Sequence, residues 1–441
     1  MRFFIKSYGC QMNLYDSRRM ADALACAGYE TSADLENADV VILNTCSIRD
    51  RVDEKVFSDL GRLRVIMEKS SKDILIVVAG CMAQLRSKDI LRRAPQVNAI
   101  LGPQNIHKIA VVIDDLIKNR AMDIIVTMSM DTGGKFQSLF ANACGRESVS
   151  EYLTIQEGCN NCCTYCIVPF TRGREFSRSV SDILEEARNL VASGVREIML
   201  LGQNVNSYSG GNFDKQKFSL AHLLFELANI NGLKRLRYIT SHPKYVDQDI
   251  ARAHREIEIL APSLHLPAQS GSNSILKEMN RGYTQDEYLR CIDLLRSYRP
   301  DIAFSSDFIV GFPGETDWDF EQTLKLAKKV RYAQAYSFKF SPRPGTAAAQ
   351  MDNQIPEKIK SERLLILQKL LNDQQTEFNK SFEGSQLNVL FTKEGKHKKQ
   401  IVGRSEYSQS VSVYANTTFV GDMARVRITE VASHSLVGML E

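Results

Sequence analysis

Along the first hundred residues, short apolar runs alternate with stretches whose apolar positions recur at helical spacing. Residues 2–6 read as a strand, and residues 16–28 as a helix with Met20, Leu24 and Ala27 on one face and Gly28 as its stop. Residues 40–43 and 74–78 are continuous apolar runs of the kind buried on both faces of a parallel sheet, and 99–101 is a weaker fourth. This pattern predicts an open α/β sheet domain. From Met128 to Glu151 the periodicity fades around Asp131-Thr-Gly-Gly, which reads as a connector. The alternation then resumes, with a helix over 181–193 and strands over 197–201, 235–240, 264–266, 303–310 and 335–340. Five or six such units are too few for a closed eight-stranded barrel and predict a partial, TIM-like (β/α) barrel. Residues 357–382 form a long amphipathic helix carrying Leu364, Leu367, Leu371 and Phe378. Short strands over 387–391, 400–402, 410–414, 424–429 and 435–440 predict a small, compact all-β barrel at the end. The expected division is therefore 1–118, 145–377 and 378–441.

Composition narrows the function classes. Of 441 residues, 44% are apolar and 24% charged, as in soluble globular proteins. No apolar run approaches the roughly 18 residues of a membrane span, and the apolar start Met1-Arg-Phe-Phe-Ile is too short for a signal peptide. The expected location is cytoplasmic. A net charge of only +4 leaves nucleic-acid contact to local patches, of which Lys393, Lys396, His397, Lys398, Lys399 and Arg404 on the first hairpin of the tail are the candidate. Ten cysteines without a secretory signal point to metal binding in a reducing compartment, not to disulfides.

Six of those cysteines fall into two sets. Cys159, Cys163 and Cys166 are spaced Cys-x3-Cys-x2-Cys, so three thiolates can converge on one iron–sulfur cluster and leave one iron of a [4Fe–4S] cube open. Cys162 turns the same run into two CxxC units, formally a four-thiolate zinc site, although zinc ribbons usually bring their pairs from separated hairpins. In the first domain, Cys10, Cys46 and Cys81 each stand at the end of a strand, on the edge where open α/β sheets bind ligands. Three thiolates on one rim suit a second three-coordinate cluster, the other reading being three packed core thiols. Cys26 and Cys291 read as packing residues, and Cys144 falls in the connector without an assignment.

Polar residues also gather at the strand ends of the second domain: Gln203 and Asn204, Ser241-His242-Pro243, Gln269 and Ser270, and Gly311-Phe-Pro-Gly-Glu315. Barrel enzymes build their sites on that rim. Arg281-Gly-Tyr and Arg343-Pro-Gly are candidate phosphate contacts through their arginines.

The Cys159–Cys166 spacing resembles that of the radical S-adenosylmethionine (SAM) superfamily. End to end, the chain resembles the methylthiotransferase family within it. The motifs are Ser7-Tyr-Gly-Cys-Gln-Met-Asn, Asn44-Thr-Cys-Ser-Ile-Arg, Glu157-Gly-Cys through Thr171-Arg-Gly, Leu201-Gly-Gln-Asn-Val-Asn, and Tyr336-Ser-Phe-Lys-Phe-Ser-Pro-Arg-Pro-Gly-Thr. The tail resembles an RNA-binding TRAM domain. The resemblance implies two [4Fe–4S] clusters and two SAM molecules. One cluster, at Cys159, Cys163 and Cys166, would hold SAM and cleave it to a 5′-deoxyadenosyl radical. An auxiliary cluster at Cys10, Cys46 and Cys81 would carry the sulfur. Gln203, Asn204, Gln269, Ser270 and Gly311 are the expected SAM contacts, and no catalytic side chain beyond the clusters is expected. The implied substrate is a tRNA bearing isopentenylated adenosine just 3′ of the anticodon, methylthiolated at carbon 2. The implied partners are a flavodoxin- or ferredoxin-type electron donor and a donor of sulfur or clusters. Siblings act on threonylcarbamoyladenosine in tRNA or on an aspartate of a ribosomal protein. A zinc-containing RNA-binding protein is the reading from a different class. Cys162, Ser179 and the Gly403-Arg-Ser segment depart from the family's pattern.

Overall fold

The computed structural model describes residues 1–47, 50–70, 72–119, 124–130, 133–138, 148–211, 217–415, 419–432 and 435–441. Cys144 and Asp131 lie outside the described residues. The chain forms two compact units: Met1–Arg146 with Glu157–Asn160 and Ile167–Phe176, and Glu147–Gln156 with Asn161–Cys166 and Ser177–Glu441.

The first unit is a six-stranded parallel sheet. Its strands are β1 (Arg2–Ser7), β2 (Glu30–Thr31), β3 (Val40–Thr45), β4 (Leu75–Gly80), β5 (Ala99–Leu101) and β6 (Ile125–Thr127), in the order β2-β1-β3-β4-β5-β6. Every residue of β3 and β4 is buried, which explains why those two read as unbroken apolar runs. Two elements differ from expectation. The first helix, α1, spans Gln11–Cys26 and so begins one residue after Cys10; its early start carries no capping signal, since the N-cap position is Cys10 and makes no side-chain cap. The unpredicted strand β6 ends just before the expected connector, and the connector itself holds a short helix, Gly133–Ser138, which carries the fully buried Lys135.

The second unit contains six parallel strands, Ser150–Thr154, Glu197–Leu201, Arg235–Tyr238, Ser263–His265, Ala303–Val310 and Gln334–Lys339. They form two three-stranded sheets, joined by a parallel bridge between Leu236 and Leu260. The first of these strands was hidden in the connector: five residues with three polar members give no apolar run. Leu153, Ile198, Leu200, Leu236, Leu264, Phe304 and Phe308 fill the core against the surrounding helices. Helix Val180–Ala192 is capped by Ser179, whose hydroxyl accepts from the amide of Asp182, so the serine that departs from the family pattern acts as an N-cap. Helix Glu357–Lys380 leads into a closed five-stranded barrel made of Gln386–Glu394, Gln400–Ser405, Ser410–Tyr414, Met423–Val431 and Ser435–Leu440. Among the described residues no helix is long and apolar enough to cross a membrane.

Candidate active site

In the first unit the sheet brings the three dispersed cysteines to one edge. Cys10 follows β1 and precedes α1, Cys46 follows β3, and Cys81 opens helix α2 (Cys81–Arg93) directly after β4. Two glycines make the approach possible. Gly9 sits at φ +107°, and a Cβ there would lie 2.3 Å from Cβ and 2.6 Å from Sγ of Cys46. Gly80, at φ +96°, would place a Cβ 2.3 Å from the carbonyl oxygen of Thr45. Asn13 laces the rim, its amide donating to the carbonyls of Tyr8 (3.1 Å) and Thr45 (2.8 Å). A hydrogen bond with Cys46 draws the Cys10 pKa down to about 6, against burial and with help from the Arg172 charge. Burial pushes the Cys81 thiol up, and Arg172 opposes that shift. A permanent cation beside these thiols favours the thiolate that iron needs.

Arg172 belongs to a buried four-charge network in the same unit. It pairs with Glu157 at 2.6 Å and Asp16 at 2.9 Å, and Lys135 pairs with the same two carboxylates at 2.8 Å each. Gln104 donates to Glu157 (3.2 Å) and to the carbonyl of Arg172 (2.7 Å). Asp16 and Lys135 carried no motif signal in the sequence. Asp16 stands more than a hundred positions from both Lys135 and Arg172, beyond the reach of spacing rules.

The cysteine loop contributes to both units: Cys159 to the first, Cys162, Cys163 and Cys166 to the second. The chain reverses before Cys159 at Gly158, φ +79°, where a Cβ would sit 2.1 Å from the carbonyl oxygen of Arg174. In the second unit the loop is pinned to residues 278–281. Thr164 donates its amide to Met279 (3.1 Å) and its hydroxyl to the carbonyl of Glu278 (2.8 Å), and the Asn280 side chain donates to the carbonyl of Cys162 (2.8 Å). Cys162 is exposed, whereas Cys163 and Cys166 are half-buried. Arg281 is not the phosphate-facing residue expected from its motif: it is buried, with Nη1 3.4 Å from Sγ of Cys163.

Among the described residues, no three Cys, His, Asp or Glu side chains close on the spacing of a single metal ion. A cubane does not require that convergence, since each thiolate takes a different iron. The rim position, the Gly9 cradle and the cation at Arg172 fit such a cluster.

Comparison with known proteins settles the family. Residues 153–327 match the radical SAM superfamily, 2–102 the uncharacterized protein family UPF0004, and 380–440 the TRAM domain. A tRNA-2-methylthio-N(6)-dimethylallyladenosine synthase from Agrobacterium fabrum is 50% identical over 99% of this chain and 96% of its own length. The enzyme of that name from Bartonella bacilliformis is 49% identical, with the same coverage. The chain belongs to this synthase family. Among solved structures, the radical SAM methyltransferase TsrM from Kitasatospora setae, with cobalamin and a [4Fe–4S] cluster bound, shares the fold. Its TM-score is 0.58 at 14% identity, covering 79% of this chain and 77% of that one. The cobalamin-dependent radical SAM enzyme OxsB gives 0.53 at 11% identity, covering 84% and 56%.

The strand-end residues of the radical SAM domain divide by availability. Asn204 is buried, and among the described residues neither polar atom of its side chain has a hydrogen-bond partner; the buried hydroxyl of Ser241 has none there either. Gln156 fixes this turn by accepting from the amides of Gln203 (2.9 Å) and Asn204 (3.2 Å). Gln269 holds φ +67°, and the hydroxyl of Ser270 is engaged by the amide of Ser272 (3.2 Å) and by Thr323 (3.3 Å). Gly311, at φ +68°, donates its amide to Glu315 at 2.7 Å, and Lys360 packs where its Cβ would be. The motif that begins at Tyr336 places Tyr336 and Phe338 exposed on one face of the last strand, in register with Asp307 and Ile309, an exposure that sequence reasoning did not foresee. Their apolar-polar alternation was the available signal.

The TRAM barrel is seated on strand Arg235–Tyr238. Arg235 donates to the carbonyls of Arg404 (2.8 Å) and Asn388 (2.9 Å), and Arg237 to the carbonyl of Ser405 and the hydroxyl of Ser408, both at 2.7 Å. Buried Glu197 pairs with both guanidiniums, which hold its carboxyl below the usual range against the effect of burial. Lys393, Lys396, His397, Lys398, Lys399 and Arg404 are exposed, and among the described residues none of these side chains pairs with a carboxylate.

Proposed function

We propose that this protein methylthiolates carbon 2 of N(6)-isopentenyladenosine in tRNA, at the nucleoside just 3′ of the anticodon. Cys159, Cys163 and Cys166 would hold one [4Fe–4S] cluster, and Cys10, Cys46 and Cys81 the other. When bound, the first supplies the electron that cleaves SAM for radical attack on an aromatic C–H, which has no acidic proton for a base, and the second supplies the sulfur. The observation that carries this reading is the pair of thiol sets, one local in sequence and one assembled by a sheet, in a chain half identical to the named synthases over its full length.

The protein's own groups do the rest. Arg172 keeps negative charge favourable at Cys10 and Cys81. The unpaired amide of Asn204 and hydroxyl of Ser241 suit the polar groups of SAM, since a buried polar atom without a partner is costly until a ligand supplies one. Gln203, Gln269, Ser270 and Gly311 shape the same rim through their backbone. The exposed cations of the tail suit the tRNA backbone. A low-potential electron donor of flavodoxin or ferredoxin type and a donor of sulfur or clusters complete the reaction, in the cytoplasm.

Anaerobic incubation with SAM, reductant and either isopentenylated or unmodified tRNA, followed by nucleoside mass analysis, tests the substrate. A methylthio product only from the isopentenylated tRNA supports it. A product on threonylcarbamoyladenosine instead would move the protein to the sibling activity.

A further inference from the structure

Seven arginines are buried among the described residues: Arg19, Arg172, Arg178, Arg235, Arg237, Arg281 and Arg363. Six of them pair with a carboxylate. Arg19 has Asp22, Arg172 has Asp16 and Glu157, Arg178 has Glu186, Arg235 and Arg237 share Glu197, and Arg363 has Glu315 and Asp317. Arg281 does not. It is 7% exposed, and two of its three polar contacts are neutral: the hydroxyl of Tyr283 (3.1 Å) and the carbonyl of Pro267 (3.3 Å). The third is Sγ of Cys163 at 3.4 Å. A guanidinium does not deprotonate in a protein, and a buried cation without a counter-charge is strongly destabilising. Among its contacts, Sγ of Cys163 is the one through which the charge of Arg281 would reach a group bound at that cysteine.

Its position is built rather than incidental. Asn280, held at φ +55°, donates to the carbonyl of Cys162, and the amide of Thr164 donates to the carbonyl of Met279. These contacts on either side of Cys163 fasten the segment that carries Arg281 to the cysteine loop.

We infer that Arg281 is the charge-tuning residue of the radical SAM cluster, raising its reduction potential and so favouring entry of the electron used on SAM. The inference rests on the reading that Cys163 ligates that cluster. One electron from a low-potential donor adds one negative charge to the cluster, and a fixed cation beside a ligand sulfur stabilises the reduced form more than the oxidised one. In a site shielded from water that coupling is not screened away. Arg281 donates no proton and forms no bond to substrate, so its effect is on when the electron arrives.

The test is a redox titration of reconstituted wild-type, Arg281→Gln and Arg281→Lys proteins, followed by electron paramagnetic resonance. The cluster to follow is the one whose spectrum changes when SAM is added; the other serves as an internal control. For Arg281→Gln, the ratio of reduced to oxidised cluster at a fixed poise should fall about tenfold, which is 59 mV for a one-electron couple. Arg281→Lys should stay near wild type, the control cluster should not move, and iron content should be unchanged in both. A wild-type midpoint in Arg281→Gln would overturn the inference. So would equal shifts in the two variants, or loss of about four irons from both, since either shows a role of shape and not of charge. Cys163→Ala separates this from the function itself. If that variant keeps all its iron, the ligand assignment is what fails; if it loses about four while Arg281→Gln titrates normally, only the inference fails.

Discussion

The two cysteine sets proposed to hold clusters are assembled by opposite routes. Cys10, Cys46 and Cys81 are scattered over the first 81 residues and meet because three parallel strands end on one edge. Cys159, Cys163 and Cys166 are already close in the chain, and the fold only has to pin their loop, through Thr164 and Asn280. Charge is handled differently as well. Beside the first set, Arg172 is answered by Asp16 and Glu157, with Lys135 completing a neutral foursome. Beside the second, Arg281 faces Cys163, and among the described residues no carboxylate pairs with it. The first site is a stable scaffold that holds its thiols in a balanced field. The second sets Arg281 beside the cysteine proposed to hold a group whose charge changes during turnover.

The largest effect is expected where the loop is broken. Cys163→Ala should reduce SAM cleavage to background and remove about four irons, one cubane's worth, leaving the other cluster in place. Exposed Cys162 is the matched control: Cys162→Ser should keep both iron and activity. Loss of four irons from the serine variant would show that the ligands are wrongly chosen.

Next comes the balanced network. Glu157→Gln leaves Lys135 and Arg172 sharing Asp16 in a fully buried place, so the first unit should lose about 3–5 kcal/mol in chemical denaturation. Adding Lys135→Met to the same chain should recover part of that loss, because it removes the uncompensated charge. A double variant no more stable than the single one would mean that the network is not electrostatic in origin.

Acid acts on the two units unequally. Burial depresses the His242 pKa to about 2, with the charges of Arg281 and Lys244 contributing, and burial with Arg299 depresses that of His254 to about 3. Both lie in the second unit. Unfolded, each histidine titrates near 6.5, so below that pH the unfolded chain binds protons that the folded chain refuses. Stability should fall as pH drops from about 6.5 toward 3, by about 1.4 kcal/mol per pH unit per histidine. Denaturation of His254→Gln should show a shallower acid slope than wild type; an unchanged slope would contradict the burial argument.

The mildest change is at the tail. Replacing Lys396, Lys398 and Lys399 by alanine should weaken tRNA binding and flatten its salt dependence, by about 0.7–0.9 in slope for each phosphate no longer neutralised. Point changes suit this better than deleting the TRAM barrel, which would strip Arg235 and Arg237 of their carbonyl partners. An unaltered slope would mean that these lysines only face water.

How much of this could be read from the chain follows from how local each signal is. The buried strands and the terminal barrel were legible because apolar runs and alternation are short-range patterns. The Cys159–Cys166 loop was legible for the same reason, and the strand-end cysteines became so once their strands were located. The early start of α1 was missed for want of a capping residue, and Ser150–Thr154 for want of an apolar run. Lys135, Asp16 and the burial of Arg281 were not legible at all, since each depends on partners far away in sequence. Arg281 shows the cost of that: its motif suggested a phosphate contact, and only the fold revealed its burial against the sulfur of Cys163.

The central claim is a division of labour between the two sites, and one sample tests it. Cys46→Ala, reconstituted and incubated with SAM, reductant and isopentenylated tRNA, should retain about four irons. It should still convert SAM to 5′-deoxyadenosine and should put no methylthio group on the tRNA, both products being quantified together. Methylthiolated tRNA at the normal rate would reduce Cys10, Cys46 and Cys81 to packing residues. Loss of both products with SAM binding intact would show that the two sites cannot be separated by function.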